Sequence, residues 1–338
     1  MAAISELPSE NKLYCPIEQT WTISDEKLKE IKENQTGIQI YSENEEVKVV
    51  PHVNYYLNLE YKKLVSGSSA FFLYLHLSTS KTNSRIQAKY SFFIKSENYL
   101  TQFNNVFDDF GEDEDDTWGD EICNVQEFFD SRRKFVVDGK FTVKMKGMLI
   151  FDDVEIPKIT IQNGALSQAL WRKEHKDFKI IVKNEGNVLI HKYVLSARSA
   201  VFEAMYEAKR EEAITNTLKI IDFNLKTVQT AVEYFYDQKI FEYITFDDAF
   251  ELLRFADKYD ITDLQEKLES HLTYHLSPST VCQFVNGSVA SNSINFRQIC
   301  FNFMMLCLRH AIRVDKYSIL DKDFAAELLE KTLSSAFN

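Results

Sequence analysis

Three groups of side chains in this chain have types and spacings that could do chemistry. The densest is acidic: nine Asp and Glu, with no Lys or Arg among them, lie between Asp108 and Glu121. Paired carboxylates act as general acid and base only where unequal, buried surroundings split their pKa values. A run of like charges repels itself and is expected to be a solvated, mobile loop. Calcium would call for a D-x-[DN]-x-[DN]-G word, which is absent, and Gly111 precedes most of the acids. The second group is His271 and His275, one helical turn apart, as two metal ligands would be. No Cys or acidic set completes a site around them, so they read as helix-surface or core histidines. The third is five cysteines, at 15, 123, 282, 300 and 307, scattered, odd in number and without a C-x-x-C pair. They are expected as buried, reduced thiols. P-loop, G-x-S-x-G, H-E-x-x-H and G-x-G-x-x-G words are all missing. The reading is of a binding protein, with no catalytic residue, metal or cofactor expected.

Charge narrows the class of partner. Removing the nine acidic charges of 108–121 from the net −12 leaves −3 for the rest of the chain, so the acidity is local. Nucleic-acid binding without sequence preference needs Lys and Arg to displace counterions, and is not expected. No apolar run approaches the ~20 residues of a membrane helix. Residues 1–12 lack the basic-then-apolar layout of a secretory signal, so the glycosylation words at Asn34 and Asn286 carry no weight.

The elements that must position any site divide the chain at about residue 152. From Tyr14 to Asp152 the texture is β: Gly37–Tyr41, Glu46–Val50, Val53–Leu59, Phe71–Leu77, Ile86–Ile94 and Phe141–Lys146 alternate apolar with polar or run apolar. One buried and one wet face over six or more strands implies an antiparallel sandwich. Lys27–Glu33 is left open as a short helix. Residues 153–164 read as a linker, and Leu166, Leu170 and Trp171 form a short apolar helix stripe. Asp177–Lys183 and Val188–Ile190 read as a hairpin joined at Asn184–Asn187, and Leu218–Ile221 as a further strand.

After His191 the period becomes helical, with Val194, Leu195, Arg198, Val201, Phe202 and Met205 on one side. Asn224, Thr245 with Asp248, Thr262 with Gln265, Ser277 before Pro278, and Asp321 read as helix starts. Phe296, Ile299, Cys300, Phe303, Leu306, Cys307 and His310 make a long apolar face, with Phe324, Leu328 and Leu329 on a last helix.

This order resembles the BTB/POZ fold. The resemblance is carried by Asp177, His191-Lys192, Leu195, Ala197-Arg198-Ser199, Val201-Phe202, Met205 and Ala256-Asp257-Lys258-Tyr259. The first half, through Thr20-Trp-Thr-Ile23, Leu73–Leu77, Ala88-Lys-Tyr90 and Thr117-Trp-Gly119, resembles a MATH (TRAF-like) domain. Together they resemble the MATH–BTB/POZ substrate-adaptor family, the speckle-type POZ-like proteins. The implied architecture is two-domain: a MATH-like β-sandwich at 13–152, a linker at 153–164, an α+β BTB/POZ domain at 165–276, and 3-box or partial BACK helices at 277–333.

The resemblance also implies function. Its members recruit substrates to a cullin-3 ubiquitin ligase and form homodimers through the BTB domain, in the nucleus, the cytoplasm or both. Matched motif by motif, Tyr74, Tyr90, Phe110 and Trp118 fall on the groove that holds a short linear motif of the substrate. Asp120 stands where the family has an aromatic, and Asp116-Thr117 where it has Lys-Asp, so peptides with basic flanks are expected. Leu166, Leu170 and Val194 fall on the dimer face, beside Asp177, which is read as structural. The cullin-facing loop begins at Met205 and Tyr206 and runs to Glu212, but Arg210 occupies the position of the family's apolar plug. That loss would forfeit about 1.5–3 kcal/mol, part of which an Arg stem or the helices of 277–309 could restore. A scaffold that displays MATH domains without a cullin is therefore the alternative expectation.

Overall fold

Alternation sets the layers of the first half. In the computed structural model, which describes residues 12–34, 38–80, 84–110, 115–152, 154, 156–162, 164–183, 185–208 and 211–335, the sequence periods become two antiparallel sheets. One holds β1 (Lys12–Ile23), β6 (Ile86–Ile94), β7 (Tyr99–Phe107) and β10 (Lys140–Asp152), in the order β1-β10-β6-β7. The short β9 (Val136–Val137) pairs with β10. The other holds β2 (Gln39–Tyr41), β4 (Val53–Lys63), β5 (Ser69–Thr79) and β8 (Asp115–Asn124) in that order, with β3 (Glu45–Glu46) on β4. On β5, Phe71, Leu73, Leu75 and Leu77 are sealed in the core, while Tyr74, His76 and Ser78 stay half-buried on the other face. Such period-2 burial is what a strand with one face on a core requires. Rings from both sheets and the short helix α2 (Val125–Phe128) fill the interior, with Phe128 stacked on Phe71 at 4.1 Å between centroids. Lys27–Glu33 lies in a helix, α1 (Asp25–Asn34).

Two expectations fail here. Residues 46–50 do not continue as a strand. Val47 N donates to the Val53 carbonyl at 2.8 Å and Val50 N to the Val47 carbonyl at 2.7 Å, forming a turn that buries Val47 and Val50 together. The acidic stretch is also not wholly a loop. Asp115 onward is strand β8, held along its length by β5 from Ser78↔Asp115 to Ala70↔Asn124. A neighbouring ladder, with Ile122 and Cys123 buried, overrides the poor strand preference of Asp.

The second half is α+β. β11 (Phe178–Val182) lies between β12 (Gly186–Ile190), antiparallel, and β13 (Thr217–Ile220), parallel. Around this sheet in sequence run α3 (Ala165–Trp171), α4 (Lys192–Arg198), α5 (Ala200–Glu207), α6 (Glu211–Thr215) and α7 (Leu225–Phe235). α8 (Phe246–Lys258), α9 (Thr262–Tyr274), α10 (Val281–Ala290), α11 (Ile294–Arg309) and α12 (Lys322–Ser335) follow. Leu195, Phe202, Val228, Leu252, Leu253 and Ala256 are among the side chains buried between these elements.

Most helix starts behave as their caps require. Asn224 accepts from Thr227 N at 2.8 Å, Thr245 and Asp248 form a reciprocal box, and Asp321 accepts from Phe324 N at 2.9 Å. Thr262 is inside its helix, with Ile261 as an uncapped N-cap, and Ser277-Pro278 opens a turn, the helix beginning only at Val281. On α11, Ile299 is exposed, and on α12 Leu329 faces out. The described residues divide into two compact units, one of 12–154 with 306–313 and one of 156–305 with 314–335. All five cysteines are free and buried, and burial raises the thiols of Cys15 and Cys123 to about 12.

Candidate docking surfaces

Among the described residues β8 is the outer strand of its sheet, so one side of its backbone has no ladder partner among them in that sheet. Register separates the residues expected to line a groove here. Trp118 stands opposite Leu75, whose side chain is in the core, whereas Tyr74 stands opposite Gly119 on the outward face. Tyr74 and Trp118 therefore flank the β8 edge from its two sides. Trp118 is 45% exposed and Tyr74 half-buried. Gly119 is required between them, because a Cβ there would lie 2.1 Å from the Leu73 carbonyl oxygen.

The other two groove candidates do not reach the surface. Tyr90 is 0% exposed and Phe110 is 7% exposed. Tyr90 stacks on Phe103 at 4.9 Å and its hydroxyl donates to the Trp118 carbonyl at 2.9 Å, holding the exposed indole's backbone from beneath. Burial raises the Tyr90 phenol well above its ordinary range, so it remains a donor. Acids at the start of β8 also have structural partners. Asp116 Oδ2 accepts from Asp108 N at 2.9 Å and Asp109 N at 3.2 Å, and Asp115 Oδ2 accepts from the Tyr56 hydroxyl at 2.6 Å. Asp120 accepts from Glu121 N at 2.8 Å.

The second surface is on α3 and α4. Leu166 is 72% exposed, Leu170 and Val194 are half-buried, and nearby in sequence Tyr193 is 83% exposed. Asp177 acts locally, its Oδ1 accepting from Lys192 N at 2.8 Å and so capping the first turn of α4. Close by, Trp171, Lys176, Leu189, Val232 and Glu233 line part of a cleft of ≈ 580 Å³. Lys176 Nζ lies 4.4 Å from the Trp171 ring, and burial lowers its pKa. Arg198 is a tie between helices: it donates to the Phe235 carbonyl at 3.3 Å, to Asp263 at 3.2 Å and to Asp237, which also accepts from Ser167.

The third surface follows α5. Met205, at the expected start of the cullin-facing loop, is buried at 8% and belongs to the core. Tyr206 is half-buried, edge-on to Phe178 at 5.5 Å, with Lys192 Nζ 4.6 Å from its ring. Glu212 is half-buried on α6, and Arg210 lies outside the described residues. Sequence reasoning missed Ile214, which stands on α6 with 74% of its surface exposed. An Ile inside the polar word Glu211-Glu-Ala-Ile-Thr-Asn216 was the signal for it. Also missed were Tyr41, Tyr56, Asn58 and His76 on the outward face of β2, β4 and β5.

His271 and His275 pack together, 4.7 Å between ring centroids, against Phe246. His275 Nδ1 lies 2.8 Å from the His271 carbonyl, and no third ligand joins them: among the described residues no cluster of three or more His, Cys, Asp or Glu could hold a metal. Among the same residues no helix is long and apolar enough to cross a membrane.

The BTB/POZ domain family matches residues 166–276. TD and POZ domain-containing protein 4 of Mus musculus is 29% identical over 150 residues, 41% of this chain and 40% of that protein. TD and POZ domain-containing protein 3 of Mus musculus is 27% identical over 128 residues, 38% of this chain and 34% of that protein. A BTB/POZ domain-containing protein of Arabidopsis thaliana is 33% identical over 106 residues, 29% of this chain and 42% of that protein. The matched stretches thus cover less than half the length of these relatives. Residues 166–276 are a BTB/POZ domain, and with the antiparallel β-domain that precedes them the chain fits the MATH–BTB family.

Proposed function

We propose that this chain is a substrate adaptor of a cullin-3 ubiquitin ligase, acting by docking and not by catalysis. The observation that carries the proposal is the open edge of β8, with Trp118 exposed on one side and Tyr74 on the other, joined in one chain to a BTB/POZ domain. An extended peptide of the substrate adds to that edge by main-chain hydrogen bonds, and Trp118 anchors one of its side chains. Asp108, Asp109, Asp116, Asp120 and Glu121 surround the edge with negative charge, so the preferred peptides carry Lys or Arg beside the anchor.

In this reading the BTB domain pairs with a second copy through Leu166, Leu170 and Val194, which doubles the peptide sites and raises the affinity for substrates with repeated motifs. Cullin-3 contacts the loop of Tyr206 and Glu212 and the helices after residue 277. Ile214, 74% exposed, takes the part of the apolar plug that Arg210 does not supply. The protein works in the nucleus, the cytoplasm or both. The test is a pull-down with the cullin-3 N-terminal region: wild type binds, and Ile214→Asp lowers the affinity about ten- to hundred-fold. A wild-type chain that binds peptide but leaves cullin-3 in the supernatant favours the second reading, a scaffold that displays two MATH domains. The Arg at position 210 is what speaks for that reading.

A further inference from the structure

The outward face of β2, β4, β5 and β8 carries groups that the core does not use. Register brings them together: Tyr41 stands opposite Asn58, Asn58 opposite Tyr74, and Tyr56 opposite His76. The Tyr56 and His76 rings stack, 4.6 Å apart and 12° from parallel. Tyr41, 49% exposed, meets them edge-on at 5.8 Å and 6.2 Å. Behind Tyr56 lies Asp115, which accepts from its hydroxyl at 2.6 Å. Two side chains here have buried polar atoms that are unpaired. Asn58 is 2% exposed, yet its Oδ1 has no hydrogen-bond partner, and neither ring nitrogen of His76 has one. Buried acceptors without partners are uncommon because they lose their water and gain nothing in return. These atoms are sealed from solvent, so a ligand must shift a neighbouring side chain to donate to them, and would then remove that cost.

The same face already seats a cation. Lys62 Nζ lies 5.0 Å from the Tyr74 ring and 5.5 Å from the Phe72 ring, 2.7 Å from Glu60, and donates to the Tyr74 hydroxyl at 3.0 Å. Rings and a carboxylate hold that ammonium. The strip around Tyr56 repeats these parts, with Asp115 in the place of Glu60. Burial keeps the His76 imidazole below its ordinary pKa, so at neutral pH it offers an acceptor nitrogen and adds no positive charge. A flat guanidinium fits this set better than an ammonium. It stacks on aromatic faces, and its five donors can meet several acceptors at once.

We propose that the strip formed by Tyr41, Tyr56, Asn58, His76 and Asp115 is a subsite for an arginine side chain of the bound peptide. The proposal rests on the reading of the first half as a peptide-docking domain. It assigns the basic residue of the peptide a definite seat on the outward side of β5, apart from the general field of the acidic stretch.

The test uses the full chain and an arrayed library of acetylated, amidated nonapeptides. At each position in turn, Arg, Lys, citrulline or Ala is fixed. Citrulline keeps the shape of arginine and lacks its charge. Wild type should bind peptides with Arg at one position about ten-fold more tightly than the citrulline counterparts. Asp115→Asn and Tyr41→Ala should each bring that ratio close to one. Trp118→Ala should weaken Arg and citrulline peptides alike and leave the ratio unchanged. Equal binding of Arg and citrulline peptides by the wild type overturns the subsite while the docking domain stands, a comparison that requires no variant to fold. A ratio that survives both Asp115→Asn and Tyr41→Ala in chains with wild-type melting temperatures overturns it as well. If no peptide binds at all, the docking domain and its subsite fall together.

Discussion

His271 illustrates how much a single side chain can say about conditions. It is 8% exposed among Phe241, Phe246 and His275, and burial lowers its pKa to about 4. As pH falls, the unfolded chain binds a proton there near the usual 6.5, before the folded chain does. Stability from this residue is therefore complete above about pH 6.5 and is lost as pH falls towards 4. Between pH 7.5 and 5 the loss amounts to about 2 kcal/mol. His310, whose pKa burial also lowers to about 4, and His76, whose pKa burial lowers too, add to the loss. Urea unfolding at the two pH values should therefore show a wild-type loss that His271→Gln reduces by about this amount. The sequence made the pair visible, since two histidines one turn apart stand out, but not their surroundings. Phe241 and Phe246 lie twenty-five or more positions upstream, and only tertiary packing brings them to the rings. The same limit applied to the groove candidates. Tyr74 and Tyr90 both sit on alternating strands, and alternation tells that two faces exist without telling which one is wet.

At the scale of elements, strands with strong patterns were legible and those whose pattern is borrowed from a neighbour were not. Ile86–Ile94 appears with both ends where the sequence puts them, because Ala88, Tyr90 and Phe92 are apolar on one face. β8 could not be read that way: three of its ten residues are Asp and a fourth is Glu, and β5 supplies its reason to be extended. Helix starts follow the same rule. Thr245 was readable because its box closes within four residues, whereas Thr262 and Ser277 have the right types at sites where the chain turns earlier or later. Gly119 is the weak point of β8. Gly119→Ala sets a methyl against the Leu73 carbonyl at a distance no atom tolerates, so β8 must shift. We expect a loss of roughly 2–4 kcal/mol in chemical unfolding, together with loss of peptide binding in the full chain.

For the whole molecule, the two-unit plan was legible from texture, because a β half and a helical half differ in period throughout. What covers the exposed Leu166 was not, since a face that awaits a partner and a face that tolerates water carry the same letters. A dimer through this face predicts that Leu166→Asp yields monomers in light scattering at micromolar concentration, while wild type stays dimeric. Burying a Leu at each of two symmetric positions is worth about 3–6 kcal/mol in all, enough to move such an equilibrium across the working range.

The sealed cysteines make the chain convenient for labelling. With all five thiols buried, and those of Cys15 and Cys123 held to about 12, a disulfide reagent such as Ellman's should release no colour from the native protein and five equivalents in guanidinium. One cysteine introduced beside the exposed indole would then be the only reactive sulfur, and a fluorophore placed there could report the arrival of a peptide while every native thiol stays in place.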